Sequence, residues 1–107
     1  MVFGERFFVE SARFRETCLE MCALIGCTGD VTAEQVDACA DRCVDKQRAA
    51  EQVGAQCTDA YPRSVQCFAA LECSEYLAWE GGDASVCQAP LSAFEQSCPD
   101  LTFDFRE

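Results

Sequence analysis

The sequence contains no histidine, although it has ten cysteines in 107 residues. Without imidazole the chain has no Cys/His nucleophile pair, no Cys₂His₂ zinc site and no histidine acid–base catalyst. It also lacks any Cys-x-x-Cys spacing, which weakens the case for a zinc ribbon, a common iron–sulfur site or thioredoxin-type chemistry. These absences exclude many functions that cysteine-rich sequences otherwise suggest.

Positive charge and long apolar runs are also scarce. The chain has 8 Lys and Arg against 19 Asp and Glu, a net charge of −11, so nucleic acid and anionic membrane surfaces are unfavourable partners. No run of about 20 apolar residues is present, which predicts no transmembrane helix. The acidity is typical of a solvated surface, and the alternative is a docking face for a basic partner or for cations.

The first ten residues lack the basic region, long apolar stretch and small-residue cleavage site of a secretory signal. We therefore expect either a mature or engineered chain, or a native chain that enters its compartment by a route without a cleaved signal.

The cysteines are even in number and dense for so short a chain, which predicts a disulfide framework formed in an oxidising compartment. We expect one domain over residues 1–107. Its modest core would be supplemented by cross-links that each contribute about 2–4 kcal/mol to stability.

The spacing of apolar residues predicts an all-α fold. Residues 11–26 form an amphipathic pattern, and a second helix begins after Thr32, which has capping-box spacing with Gln35, and ends at Gly54. A third helix is predicted to begin after Asp59, with Pro62 in its first turn. Residues 74–79 continue it or form a separate turn, and a last helix covers 88–97. The prediction is two antiparallel helical hairpins with short extended segments at both ends of the chain.

Two Cys-x₃-Cys motifs lie on the first two predicted helices, and residues four apart share a helix face. Antiparallel packing of these helices would bring the motifs together and pair Cys18 with Cys43 and Cys22 with Cys39. For the other six cysteines the hypothesis is a second hairpin with a cross-link between the two, which gives the pairs Cys57–Cys98, Cys67–Cys87 and Cys27–Cys73.

Both chain ends are unusually apolar. Residues 1–10 can place phenylalanines on one face of an extended segment, and residues 100–107 alternate apolar and polar side chains as a strand does. One interpretation is that these arms fold back onto the bundle or pair with each other. The other is that they bind a protein partner, and the candidate residues are then Phe3, Phe7, Phe8, Leu101, Phe103 and Phe105.

The twin Cys-x₃-Cys motifs, with sixteen residues between them, resemble the hairpin of small chaperones of the mitochondrial intermembrane space. Cys57-x₉-Cys67 resembles half of the related twin Cys-x₉-Cys pattern, and Cys87-x₁₀-Cys98 nearly repeats it. This resemblance implies oxidative import without a cleaved presequence. Members of those families carry four framework cysteines, whereas this chain has ten.

A longer stretch of the chain resembles another group of proteins. The order of cysteines from Cys18 to Cys98, together with the segment from Cys67 to Trp79, is similar to that of cysteine-rich exported proteins and lipoprotein tails of myxobacteria. The resemblance implies a helical, disulfide-stapled protein of the periplasm or cell surface without known catalysis. It leaves out the apolar termini, and no lipobox cysteine precedes the domain in the sequence.

From these patterns we expect a non-catalytic structural or interaction protein, an accessory subunit of an extracytoplasmic or membrane-associated assembly. No catalytic, cofactor-binding or metal-binding residue is predicted. One alternative is a Cu(I)-binding protein, because thiolates on a helix face suit that ion. A further alternative is an intermembrane-space chaperone or an accessory subunit of a respiratory complex.

Overall fold

The computed structural model describes the backbone of residues 2–106 and the side chains of residues 12–106. This part of the chain is helical and contains no strand. Its elements are α1 (Val2–Cys22), a 3₁₀-helix (Ala23–Cys27), α2 (Ala33–Val53), α3 (Ala55–Ala69), α4 (Cys73–Glu80) and α5 (Gln88–Ser97). The all-α, disulfide-rich fold is therefore confirmed.

The start and the end of α2 follow from local chemistry. The Thr32 hydroxyl accepts a hydrogen bond from the backbone N–H of Gln35 at 3.1 Å, and the Gln35 side chain accepts one from the Thr32 N–H at 2.8 Å. This reciprocal pair is the predicted capping box. Gly54 ends the helix with a φ of 151°, which a residue with a side chain rarely adopts. A single residue therefore separates α2 from α3.

The third helix is longer than predicted. It begins at Ala55 rather than after Asp59, so Pro62 lies in its interior and not in its first turn. A proline there leaves the carbonyl four residues earlier without its helical donor. That carbonyl belongs to Thr58, and it accepts a hydrogen bond from the Gln47 side-chain amide of α2 at 3.2 Å. The neighbouring helix thus replaces the bond that Pro62 removes.

One hydrophobic cluster unites the helices. α3 packs against α1, α2 and α5, while α1 packs against α2. The largest side chains that are almost entirely buried are Tyr61, Tyr76, Phe68, Phe94, Met21 and Val65. Because α3 contacts three other helices, it holds the two predicted hairpins together.

The two chain ends compare differently with the prediction of extended segments. Since α1 begins at Val2, the prediction of an extended segment over residues 1–10 is wrong. The side chains of Phe3, Phe7 and Phe8 lie outside the described residues. Residues 98–106 form neither a helix nor a strand, but Phe103 and Phe105 are buried while Thr102 and Arg106 are exposed. The predicted alternation is thus present without a partner strand.

Among the described residues, no helix has the length and apolar character to cross a bilayer.

Candidate functional site

All ten cysteines are paired within the chain. The five bonds join the same residues that the cysteine spacing predicts, with Cα–Cα distances between 5.2 and 6.0 Å. They are Cys18–Cys43, Cys22–Cys39, Cys27–Cys73, Cys57–Cys98 and Cys67–Cys87. Since disulfides of this kind persist where thiols are oxidised, the protein belongs in an oxidising compartment.

Four of the bonds fix the direction of the helices they join. Cys18 and Cys22 of α1 bond to Cys43 and Cys39 of α2, so the later cysteine of one helix meets the earlier cysteine of the other. The bonds between α3 and the ends of α5 follow the same nested order, Cys57–Cys98 outside Cys67–Cys87. Nested pairs require antiparallel helices, which establishes both predicted hairpins.

The fifth bond lies between the hairpins. Cys27 is the last residue of the 3₁₀-helix after α1, and Cys73 is the first residue of α4. Cys73 is exposed and Cys27 is half-buried, whereas the four cysteines of the α1–α2 hairpin are at most 3% exposed. The two residues that this bond joins are therefore more exposed than the cysteines of the first hairpin.

Pairing of every cysteine has a direct chemical consequence. A disulfide sulfur is not a thiolate, so the chain in this state offers no cysteine ligand to Cu(I). Among residues 12–106, no three cysteine or acidic side chains come close enough together to hold a metal ion. The copper-binding alternative therefore has no ligand set in the described part of the oxidised chain.

Residues 101–106, here called the C-terminal segment, pack aromatic side chains against the core. The Phe103 ring lies 4.9 Å from that of Phe68, and the Phe105 ring stacks on Trp79 at 5.9 Å with an interplanar angle of 5°. Phe105 also contacts the ring of Tyr76. Such ring pairs add to the free energy that burial alone provides.

Polar contacts hold the same segment in place from both sides. Arg106 forms a two-pronged ion pair with Asp104, donates to Glu80 of α4 at 2.9 Å, and places its guanidinium 4.5 Å from the ring centre of Trp79. The hydrogen bonds from Arg106 lower the pKa of Asp104 to about 2. On the α2 side, Lys46 donates a hydrogen bond to the backbone carbonyl of Thr102.

The segment also lies over the first hairpin. The Sγ atom of Cys39 is 3.3 Å from the carbonyl oxygen of Phe105. Because this sulfur is bonded to Cys22 and carries no proton, the approach is a packing contact and not a hydrogen bond. The C-terminal segment therefore rests on one of the disulfides that close the α1–α2 hairpin.

These contacts concern two of the predicted partner-binding residues. Phe103 and Phe105 are only 9% and 7% exposed and their rings are packed within the chain, as the interpretation in which the arm folds back onto the bundle expects. Their binding to a partner stays a prediction. Leu101 is partly buried against the same core. The alternation of apolar and polar residues predicts which side of the segment is buried. It does not show that this side packs against the core of the same chain.

Sequence reasoning missed the role of Arg106. Its partners Trp79 and Glu80 are 27 and 26 residues away along the chain, and no local pattern connects them. Tyr61 and Tyr76 belong to the buried core, and Trp79 packs against it.

A groove of about 480 Å³ lies between α4 and the loop that precedes α5. Its floor includes Leu71, Val86 and the Cys67–Cys87 disulfide, and its lining also includes the acidic residues Glu75 and Asp83. The Ser85 hydroxyl and backbone N–H both donate hydrogen bonds to Asp83. These two bonds, the hydroxyl's first, lower the pKa of the Asp83 carboxyl. The groove is therefore acidic and partly apolar. That the protein is not an enzyme stays a prediction.

Protein-family models, curated proteins and solved structures were compared with this chain, and none of them matches it. The resemblances in cysteine spacing to exported myxobacterial proteins and to intermembrane-space proteins therefore stay predictions.

Proposed function

We propose that this protein is a non-catalytic interaction protein, an accessory subunit of an assembly outside the cytoplasm. The observation that carries the proposal is the use of all ten cysteines as intrachain cross-links. No cysteine is left as a free thiol, and the bonds instead fix the relative positions of the helices that they join. What this chemistry supplies is a scaffold of constant shape.

A constant shape favours binding because less conformational entropy is lost when a partner is bound. Each cross-link also limits the unfolded chain and is typically worth about 2–4 kcal/mol. Five such bonds suit a protein that must keep its shape outside the cell's reducing interior. The periplasm, the cell surface and the extracellular medium are the proposed locations, and the mitochondrial intermembrane space is the alternative.

The partner surface that we propose is the start of α1. Phe103 and Phe105 are packed within the chain, and Val53 and Leu77, each nearly half exposed, are the exposed large apolar side chains among residues 12–106. These two supply little apolar area for a stable interface. The proposal therefore rests on Phe3, Phe7 and Phe8, because α1 begins at Val2 and positions 3 and 7 are one helical turn apart.

The test uses the full-length protein in the cells that naturally make it. Tagged wild-type protein and the double variant Phe3→Asp/Phe7→Asp are cross-linked in place, and the purified conjugates are resolved by gel and mass spectrometry. The matched control is Ala33→Asp/Ala38→Asp, which adds the same two charges at exposed positions of α2. Circular dichroism and intact mass establish first that all three proteins are folded and oxidised.

We expect a discrete conjugate with the wild type and the control, and its loss with the phenylalanine variant. If the wild type yields only monomer, or if the phenylalanine variant gives the same conjugate, the proposal is wrong. Fractionation of the same cells distinguishes the three proposed locations from the alternative, which places the protein between the mitochondrial membranes.

A further inference from the structure

We infer that the Cys27–Cys73 disulfide is a thiol-exchange site, which reacts with an external dithiol while the other four disulfides stay intact. Its reduction would release α4 from the 3₁₀-helix and leave both hairpins closed. This inference concerns a reaction at the surface of the scaffold and stands whether or not the start of α1 binds a partner.

Accessibility distinguishes this bond from the others. A disulfide is broken by a thiolate that must reach one of its sulfurs, so exposure governs which bond reacts. Cys73 is the exposed cysteine of the chain, and its partner Cys27 is half-buried. The α1–α2 bonds and Cys57–Cys98 join cysteines that are at most 3% exposed.

The second most accessible bond is Cys67–Cys87, which lines the groove beside α4. Cys67 is half-buried, and Cys87 is 9% exposed. Neither sulfur of this bond belongs to an exposed residue, so we expect it to react after Cys27–Cys73. The exposure of the cysteines therefore gives a definite order of reduction.

The position of the bond predicts that the fold tolerates its loss. It is the one disulfide of the five that does not lie within a hairpin. The hairpins also meet through the packing of α3 against α1 and α2, which does not involve Cys27 or Cys73. α4, in contrast, makes its main backbone approach to the 3₁₀-helix. Cutting the bond therefore frees α4 from the 3₁₀-helix, while the ring contacts of Tyr76 and Trp79 still hold it against the core.

The chemistry balances with a dithiol as the only reductant. One thiolate of the dithiol attacks Sγ of Cys73, and the Cys27 sulfur leaves as a thiolate that takes up a proton. The second thiol of the reagent then attacks the mixed disulfide and releases Cys73 as a thiol. Two electrons and two protons pass to the protein, and the dithiol becomes a cyclic disulfide. An oxidised dithiol reverses the sequence.

The test is limited reduction of the native wild-type protein with dithiothreitol at neutral pH. Samples are quenched at short times, their thiols are blocked with N-ethylmaleimide, and the modified cysteines are identified by peptide mass spectrometry. We expect the first labelled species to carry two groups, on Cys27 and Cys73. This species should form about tenfold faster than any other, because access limits the rate.

Two further measurements complete the test. Cys27→Ser/Cys73→Ser should keep its helical circular dichroism and lose the fast phase, whereas Cys67→Ser/Cys87→Ser should retain it. Hydrogen exchange of the partly reduced wild type should rise in α4 and stay unchanged in α2 and α3. Earlier labelling of any other pair, or reduction of all five bonds together, would overturn the inference, as would unchanged exchange in α4. The order in which cysteines of the wild-type protein are labelled decides the order of reduction even if a variant fails to fold.

Discussion

Truncation of Phe105 to alanine tests whether the C-terminal segment belongs to the core. The ring is 7% exposed and contacts the rings of Phe68, Tyr76 and Trp79, with centroid distances from 5.8 to 6.1 Å. Removing it takes away the apolar surface that covers one side of this cluster. The Arg106 contacts with Glu80 and Trp79 lie next to it in sequence and would weaken as well.

The expected cost can be worked from these contacts. Burial of a phenylalanine is worth about 1.5–3 kcal/mol, and favourable ring pairs add about 0.5–1.5 kcal/mol. Core Phe→Ala changes cost about 3–5 kcal/mol, and a site near the chain end can relax, so we expect about 3 kcal/mol. At about 4 °C per kcal/mol, the melting temperature should fall by about 12 °C.

The assay is thermal and guanidinium unfolding without reductant, followed by circular dichroism. Thr102→Ala is the matched control, because its side chain is exposed in the same segment and its backbone carbonyl still accepts from Lys46. The control should lose less than about 0.5 kcal/mol, as surface changes do. If Phe105→Ala also loses less than about 0.5 kcal/mol, its ring does not contribute to the core, and the prediction that it binds a partner would be favoured instead.

Three other predictions follow from individual contacts. Gln47→Ala should destabilise the protein by about 1–2 kcal/mol, and by less in a Pro62→Ala background, because the alanine introduced there would supply a backbone N–H to the same carbonyl. Unfolding titrations measure both losses of stability, and equal losses in the two backgrounds would contradict this prediction. Burial raises the pKa of Tyr76 to about 12 and also raises that of Tyr61. The free energy of unfolding should therefore keep its full value below about pH 10, where tyrosine is protonated in both states, and fall as the pH rises beyond it. Spectrophotometric titration should show no tyrosinate near pH 10 while the chain is folded. The pKa of Asp104 falls from 3.8 to about 2, so the stability difference between wild type and Asp104→Asn should be full above pH 4 and vanish as pH falls through about 2. A difference that does not depend on pH would contradict the ion pair.

The parts of the fold that sequence predicts are those specified by local chemistry. Thr32 and Gln35 are three residues apart and satisfy each other's backbone groups, so the start of α2 can be inferred from four residues. The Cys-x₃-Cys spacing places two sulfurs on one helix face, and nested pairing follows once the helices are antiparallel.

The parts that sequence does not predict depend on distant partners. Pro62 is typical of a helix start because its lost hydrogen bond matters least there, but a side chain from α2 supplies the missing donor. Phe103 and Phe105 show strand-like alternation whether their apolar side meets another protein or the same chain. Only the positions of Phe68, Trp79 and Tyr61 in space decide between these possibilities.

The shape of this protein depends most on which sulfurs are joined. Non-reducing peptide mass spectrometry of the protein purified from its native source, alkylated at once to prevent exchange, measures this directly. The account predicts an intact mass ten hydrogens below that of the reduced chain and five cross-linked peptides with the pairs given above. Alkylated thiols, or a peptide that joins two cysteines outside these five pairs, would contradict it.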